Sequence, residues 1–125
     1  MQLDHIILAV NDVKTSIEFY RDVLGLTYDG QREPFSVIRV TPHFTLQLAP
    51  WGSKGGEHLA FSMTGAEFDA TFARIKAAGI EYGDSFHAVG NMRGPGEEGG
   101  AEGMGAALYF FDPSKHRIEI RHYER

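Results

Sequence analysis

The sequence predicts an α+β domain made of two βαβββ modules, and three observations predict it. Two strand-like segments each carry a histidine near their start, a helical period follows each, and both helices end in nearly the same words. Residues 3–10, LDHIILAV, and residues 57–63, EHLAFSM, read as short strands holding His5 and His58. After the first, Val13, Ile17, Tyr20 and Leu24 recur at helical spacing, with Asn11 or Asp12 as N-cap and Gly25 as the stop. After the second, Phe68, Phe72 and Ile75 repeat that spacing and Gly79 is the stop. The helices run into GLTYDG (25–30) and GIEYGD (79–84).

Each module then continues into further strands. EPFSVIRVTPHFTLQLAP (33–50) splits at TPH. The second copy runs through FHAVG, a glycine-rich stretch, and AALYFFDPSKHRIEIRHYE, which splits at DPSK because Pro113 cannot sit inside a central strand. The expectation is one domain over residues 1–125, with modules at about 1–52 and 53–125, and a glycine-rich insertion loop at 90–105. Within that loop GPGEEG (94–99) fits G-x-G-x-x-G by spelling alone. No helix opens after it, Pro95 lacks an N–H, and Glu97 and Glu98 would repel phosphate. A mobile lid, with Arg93 or Met104 touching substrate, is the functional reading of the loop; a solvent-exposed linker is the other.

Composition narrows the function. A net charge of −5 without any basic run argues against nucleic acid or an anionic membrane as partner. The absence of cysteine removes disulfides, thiolate metal sites and cysteine nucleophiles. The opening MQLDHIILAV has neither a basic start nor a membrane-length apolar run, so a cytoplasmic domain is expected.

Side chains alternate across a strand, so His5 opposes the apolar face of Ile6, Leu8 and Val10. His58 likewise opposes Leu59, Phe61 and Met63, and Glu119 opposes Ile118 and Ile120. Two imidazoles at matching points of a repeat and one carboxylate, each on the face away from the helices, form a set suited to Fe(II), Mn(II), Zn(II) or Ni(II).

The blocks LDHIILAVNDVKTSIEFYRDVLGL (3–26), EHLAFSM (57–63) and ALYFFDPSKHRIEI (107–120) resemble those of the vicinal-oxygen-chelate superfamily, which includes glyoxalase I, extradiol dioxygenases, methylmalonyl-CoA epimerase, and fosfomycin and bleomycin resistance proteins. The resemblance spans nearly the whole chain and breaks at the glycine-rich stretch. It implies strands curved into a half-open barrel around a divalent metal, helices on the convex face, and a homodimer. It also implies His5, His58 and Glu119 as metal ligands and a small substrate chelated through two neighbouring oxygens.

The residues fit the members of that superfamily unequally. Gln47 is the nearest match to a fourth ligand in the glyoxalase pattern, yet it cannot act as a carboxylate base, and a one-residue slip would turn it to the other face. The extradiol dioxygenase pattern, with Fe(II) the first choice of metal, matches at Leu108, Tyr109, Asp112, Pro113 and Glu119. It lacks the histidine shortly before Leu108, and Lys115 replaces a turn glycine or proline. An acid–base histidine would have to come from His87 or His43, and Tyr109 is a candidate substrate contact. Ile7 stands where fosfomycin enzymes carry threonine. The sequence therefore points to a metalloenzyme with dioxygenase chemistry ahead of isomerase or lyase chemistry, and drug sequestration is the non-enzyme alternative.

Overall fold

The computed structural model of the protein describes residues 1–124. They form two units: Met1–Gly55 with Pro113–Lys115, and Gly56–Asp112 with the residues from His116 on. Each unit holds one four-stranded mixed sheet and one helix, an α+β arrangement.

In the first unit, β1 (His5–Ala9) leads to α1 (Val13–Glu18), then β2 (Thr27–Arg32), β3 (Phe35–Thr41) and β4 (Phe44–Ala49). The sheet order is β1-β4-β3-β2, with β1 parallel to β4 and the remaining pairs antiparallel. The Asp12 carboxylate caps α1 by accepting from the Thr15 amide at 2.9 Å. The helix expected as far as Leu24 is regular only to Glu18. Phe19–Val23 form a π-helical turn in which the Leu24 amide donates to the Phe19 carbonyl. Phe19 and Tyr20 are adjacent and both buried, their rings edge to face at 5.0 Å. A regular helix turns neighbours 100° apart, so the wider turn is a local adjustment that accompanies burial of two adjacent large rings.

The second unit repeats this plan with β5 (His58–Ser62), α2 (Gly65–Ala77), β6 (Gly96–Gly100), β7 (Gly103–Phe111) and β8 (Arg117–His122). Its order is β5-β8-β7-β6, with β5 parallel to β8. Thr64 caps α2: its hydroxyl oxygen accepts from the Glu67 amide at 3.1 Å and the hydroxyl reaches the Glu67 carboxylate at 3.1 Å, a capping box shifted only in its side-chain partner. Phe68, Thr71 and Ile75 are buried, whereas Phe72 is half-buried against Tyr82, ring to ring at 5.0 Å. Burying a side chain such as Phe68 contributes about 1.5–3 kcal/mol. The helix ends at Gly79, whose φ of +71° is the left-handed conformation expected of a stop.

The glycine-rich stretch departs from expectation. Residues 96–100 are strand β6, and the rest of the stretch supplies a turn and the start of β7, so the loop predicted over 90–105 is a hairpin from residue 96 onward. The segment without a strand ladder lies earlier, between α2 and β6, and a bridge from Gly83 to Tyr109 ties it to the sheet. Glycine weakens strand patterns, which is why GEEGG reads as loop in isolation.

The turn at DPSK closes as its composition predicts. The Asp112 carboxylate accepts from the His116 amide at 2.8 Å, and the Asp112 amide donates to the His116 carbonyl at 2.9 Å. Lys115, standing where a turn glycine is usual, adopts a left-handed φ of +68°.

Candidate functional site

In the first unit, parallel pairing of β1 with β4 sets His5 beside Thr45 and Ile7 beside Gln47. Gln47 therefore lies on the face that carries His5, away from Leu46 and Leu48 in the core. The His5 Nδ1 sits 2.6 Å from the exposed Asp4 carboxylate. A carboxylate only accepts, so in the neutral ring this contact assigns the proton to Nδ1 and the lone pair to Nε2, the arrangement usual for a metal-binding histidine.

In the second unit, His58, Glu119 and Tyr109 fall on one face, since β5 pairs with β8 and β8 with β7 at these levels. The His58 Nε2 lies 3.0 Å from Glu119 Oε1. Glu119 is 4% exposed, and its other oxygen accepts from Arg121 Nη1 at 2.6 Å. Arg121 is buried too; its second terminal nitrogen donates to the Glu98 carbonyl at 2.9 Å, and its guanidinium lies 4.6 Å from the Tyr123 ring centre. A buried carboxylate is tolerable because a buried cation neutralises it.

The glycine hairpin makes room for that cation. A side chain at Gly100 would run into the Arg121 guanidinium and the Tyr123 hydroxyl, and one at Gly105 would meet the His122 carbonyl. Strand alternation places Arg121 on the face of Glu119, and only the hairpin shows what holds it there.

Tyr109 is opposite Glu119 in the ladder and its ring lies 6.3 Å from that of His58. Burial first, then the negative charges of Glu119 and Glu98 and a hydrogen bond to Glu119, push its phenol up to about 12, with Arg121 opposing. At neutral pH Tyr109 is thus a proton donor and not a base. Two further residues were missed. Phe86, from the segment between α2 and β6, packs edge to face on His58 at 5.2 Å, and the Arg117 guanidinium sits 3.9 Å from its ring centre.

Two other histidines pack within the second unit. His116 is buried and its Nδ1 accepts from the Glu57 amide at 3.2 Å, and His122 packs on Phe68 at 5.1 Å. His87 stands against Phe86 at 4.9 Å.

Among the described residues, no group of three or more His, Asp or Glu side chains is gathered as a metal site. The donor chemistry nonetheless fits a divalent ion. His58 Nε2 and Glu119 Oε1 converge, and Arg121 occupies only the second carboxylate oxygen. These are nitrogen and oxygen donors of the kind that borderline metals take.

The paired strand–helix–strand units and a histidine–glutamate pair facing away from the helices define a class, and comparison with known proteins agrees. A family model for the Glyoxalase/Bleomycin resistance protein/Dioxygenase superfamily matches residues 2–120, and the chain belongs to that superfamily. It is 30% identical to Virulence protein STM3117 of Salmonella typhimurium over 98% of this chain and 84% of that protein. It is also 30% identical to the Manganese-dependent 2,3-dihydroxybiphenyl 1,2-dioxygenase of Geobacillus genomosp. 3, over 93% of this chain but only 35% of that longer protein. Among solved structures it is similar to Oxidase ChaP-H2, with a TM-score of 0.83 and 30% identity over 99% of this chain and 94% of that one. No helix among the described residues is long and apolar enough to cross a membrane.

Proposed function

We propose that the chain is a divalent-metal enzyme acting on a small organic substrate with two neighbouring oxygens, by dioxygenase-like chemistry. The observation that carries this reading is the convergence of His58 Nε2 and Glu119 Oε1 at 3.0 Å, with Arg121 fixing the other carboxylate oxygen. His5, the matching residue of the first module, is the third ligand in this reading, its Nδ1 turned to Asp4. Similarity to a protein named as a manganese-dependent dioxygenase and to one named as an oxidase supports oxidative chemistry over isomerisation.

When bound, the metal supplies Lewis-acid polarisation of the substrate oxygens. The protein's own residues orient and protect that chemistry. Arg121 holds one oxygen of Glu119 at 2.6 Å and so orients its carboxylate. Tyr109, protonated at neutral pH, offers a hydroxyl proton to charge developing nearby. Gln47, on the His5 face, offers an amide as donor or acceptor to substrate. Phe86 packs its ring against one side of His58 and limits the positions the imidazole can take. The family resemblance adds a homodimer to this reading.

The test is anaerobic purification with Fe(II) or Mn(II), metal analysis, and then oxygen uptake with catecholic substrates. About one ion per chain and oxygen consumption are expected. Bound metal without oxygen uptake across a broad panel transfers the assignment to an isomerase or lyase. No bound metal, together with micromolar affinity for an organic ligand, transfers it to sequestration. His58→Ala is expected to lose the metal while far-UV circular dichroism is unchanged; full occupancy in that variant overturns the ligand assignment.

A further inference from the structure

The two arginines of β8 that share the Glu119 face are treated very differently by the fold. Arg121 has its charge matched by Glu119 and its terminal N–H groups matched by backbone carbonyls, although its Nε, like that of Arg117, has no hydrogen-bond partner. Arg117, directly opposite His58 in the ladder, has no carboxylate among the described residues within ion-pairing distance. Its partners are aromatic: the guanidinium carbon lies 3.9 Å from the Phe86 ring centre and 5.2 Å from that of Phe111. Its Nε is shielded from water and without a hydrogen bond.

Aromatic contacts engage the flat faces of a guanidinium and leave its N–H edge available, the edge that pairs with carboxylates in a two-pronged geometry. Glu119 cannot serve as that partner because Arg121 already holds it. The face therefore carries one uncompensated, pre-oriented cation beside the histidine of the candidate metal site. Phe111 is exposed and Arg117 only half-buried, so the guanidinium is reachable by a ligand.

We propose that Arg117, braced by Phe86 and Phe111 beside His58, binds an oxyanion of the substrate, so that the substrate is an organic acid carrying a carboxylate near its vicinal oxygens. The proposal rests on reading this face as the metal site. A carboxylate at Arg117 would pair with the terminal N–H groups of the half-buried guanidinium, and it would set the register in which the other oxygens meet the metal. Phe86 provides a flat wall on the same side, which favours a planar acid.

The experiment compares 2,3-dihydroxybenzoate with catechol by calorimetry on the full-length, Mn(II)-loaded protein. Manganese occupancy is followed by electron paramagnetic resonance. The acid is expected to bind about tenfold or more tightly than catechol. Arg117→Gln is expected to erase that preference without changing catechol affinity or manganese occupancy, and Arg117→Lys to restore part of it. A wild-type protein without the preference, or an Arg117→Gln protein with the preference intact, overturns the proposal. A protein that takes no manganese sinks the metal reading alone. In that event salicylate is compared with phenol on the metal-free protein: Arg117-dependent preference for salicylate upholds the oxyanion site, and equal binding overturns it.

Discussion

Tyr109 shows how one residue's environment decides its chemistry. Its phenol would titrate near 10 in water, and burial beside Glu119 and Glu98 raises it to about 12. The neutral form is therefore the one the fold prefers. Stability from this group is fully present below pH 10 and is lost as pH rises from 10 towards 12, because the unfolded chain ionises first. In metal-free protein, phenolate absorbance is expected to show one tyrosine fewer ionising near pH 10 than the composition predicts. Tyr109→Phe is expected to remove this late ionisation and to flatten the alkaline loss of stability, as read from urea unfolding at pH 9 and pH 11. A Tyr109→Phe protein with the same alkaline profile would count against the assignment.

At the scale of an element, the β6–β7 hairpin replaces the inserted loop that its composition suggests. Two of its glycines, Gly100 and Gly105, have a packing reason, since Arg121 and Tyr123 occupy the space where side chains would stand. Gly100→Ala is expected to lower stability by about 1–3 kcal/mol through overpacking. Gly99→Ala, where the nearest neighbour is the Met104 sulfur at 3.9 Å, is expected to stay within about 0.5 kcal/mol of wild type. Urea denaturation of the two variants side by side checks both values. Equal, small losses would show that the hairpin yields and that Arg121 is not clamped by it. The segment between α2 and β6, and not the glycine run, supplies Phe86, whose ring packs on His58.

For the whole molecule, two units repeat one topology, and the second holds both His58 and Glu119 of the proposed ligand set. Metal binding then stabilises the native chain by mass action, as any ligand of the folded state alone does. The unfolding midpoint is expected to rise continuously with Mn(II) concentration in wild type and to stay flat in His58→Ala, measured by scanning calorimetry. An equal rise in both would place the ion elsewhere.

The repeat, the strand phases, the start of the first helix and the stop of the second were legible because they depend on local rules. Alternation puts His5, His58 and Glu119 opposite apolar partners, and Asp12 and Gly79 punctuate helices through their own backbone and side-chain chemistry. The face of Gln47 was not legible. A one-residue change of register reverses it, and only the pairing of Ile7 with Gln47 decides between the two. Nor were strand β6, the π-helical turn at Phe19–Val23, or the contrast between Arg117 and Arg121, since each depends on neighbours distant in sequence. The sequence by itself determined the fold class, the duplicated plan and the candidate donors, because periodicity and turn chemistry are short-range. Only the tertiary structure decided which charges are spent on one another and which remain free for a ligand, because a side chain's partners are set by packing across strands.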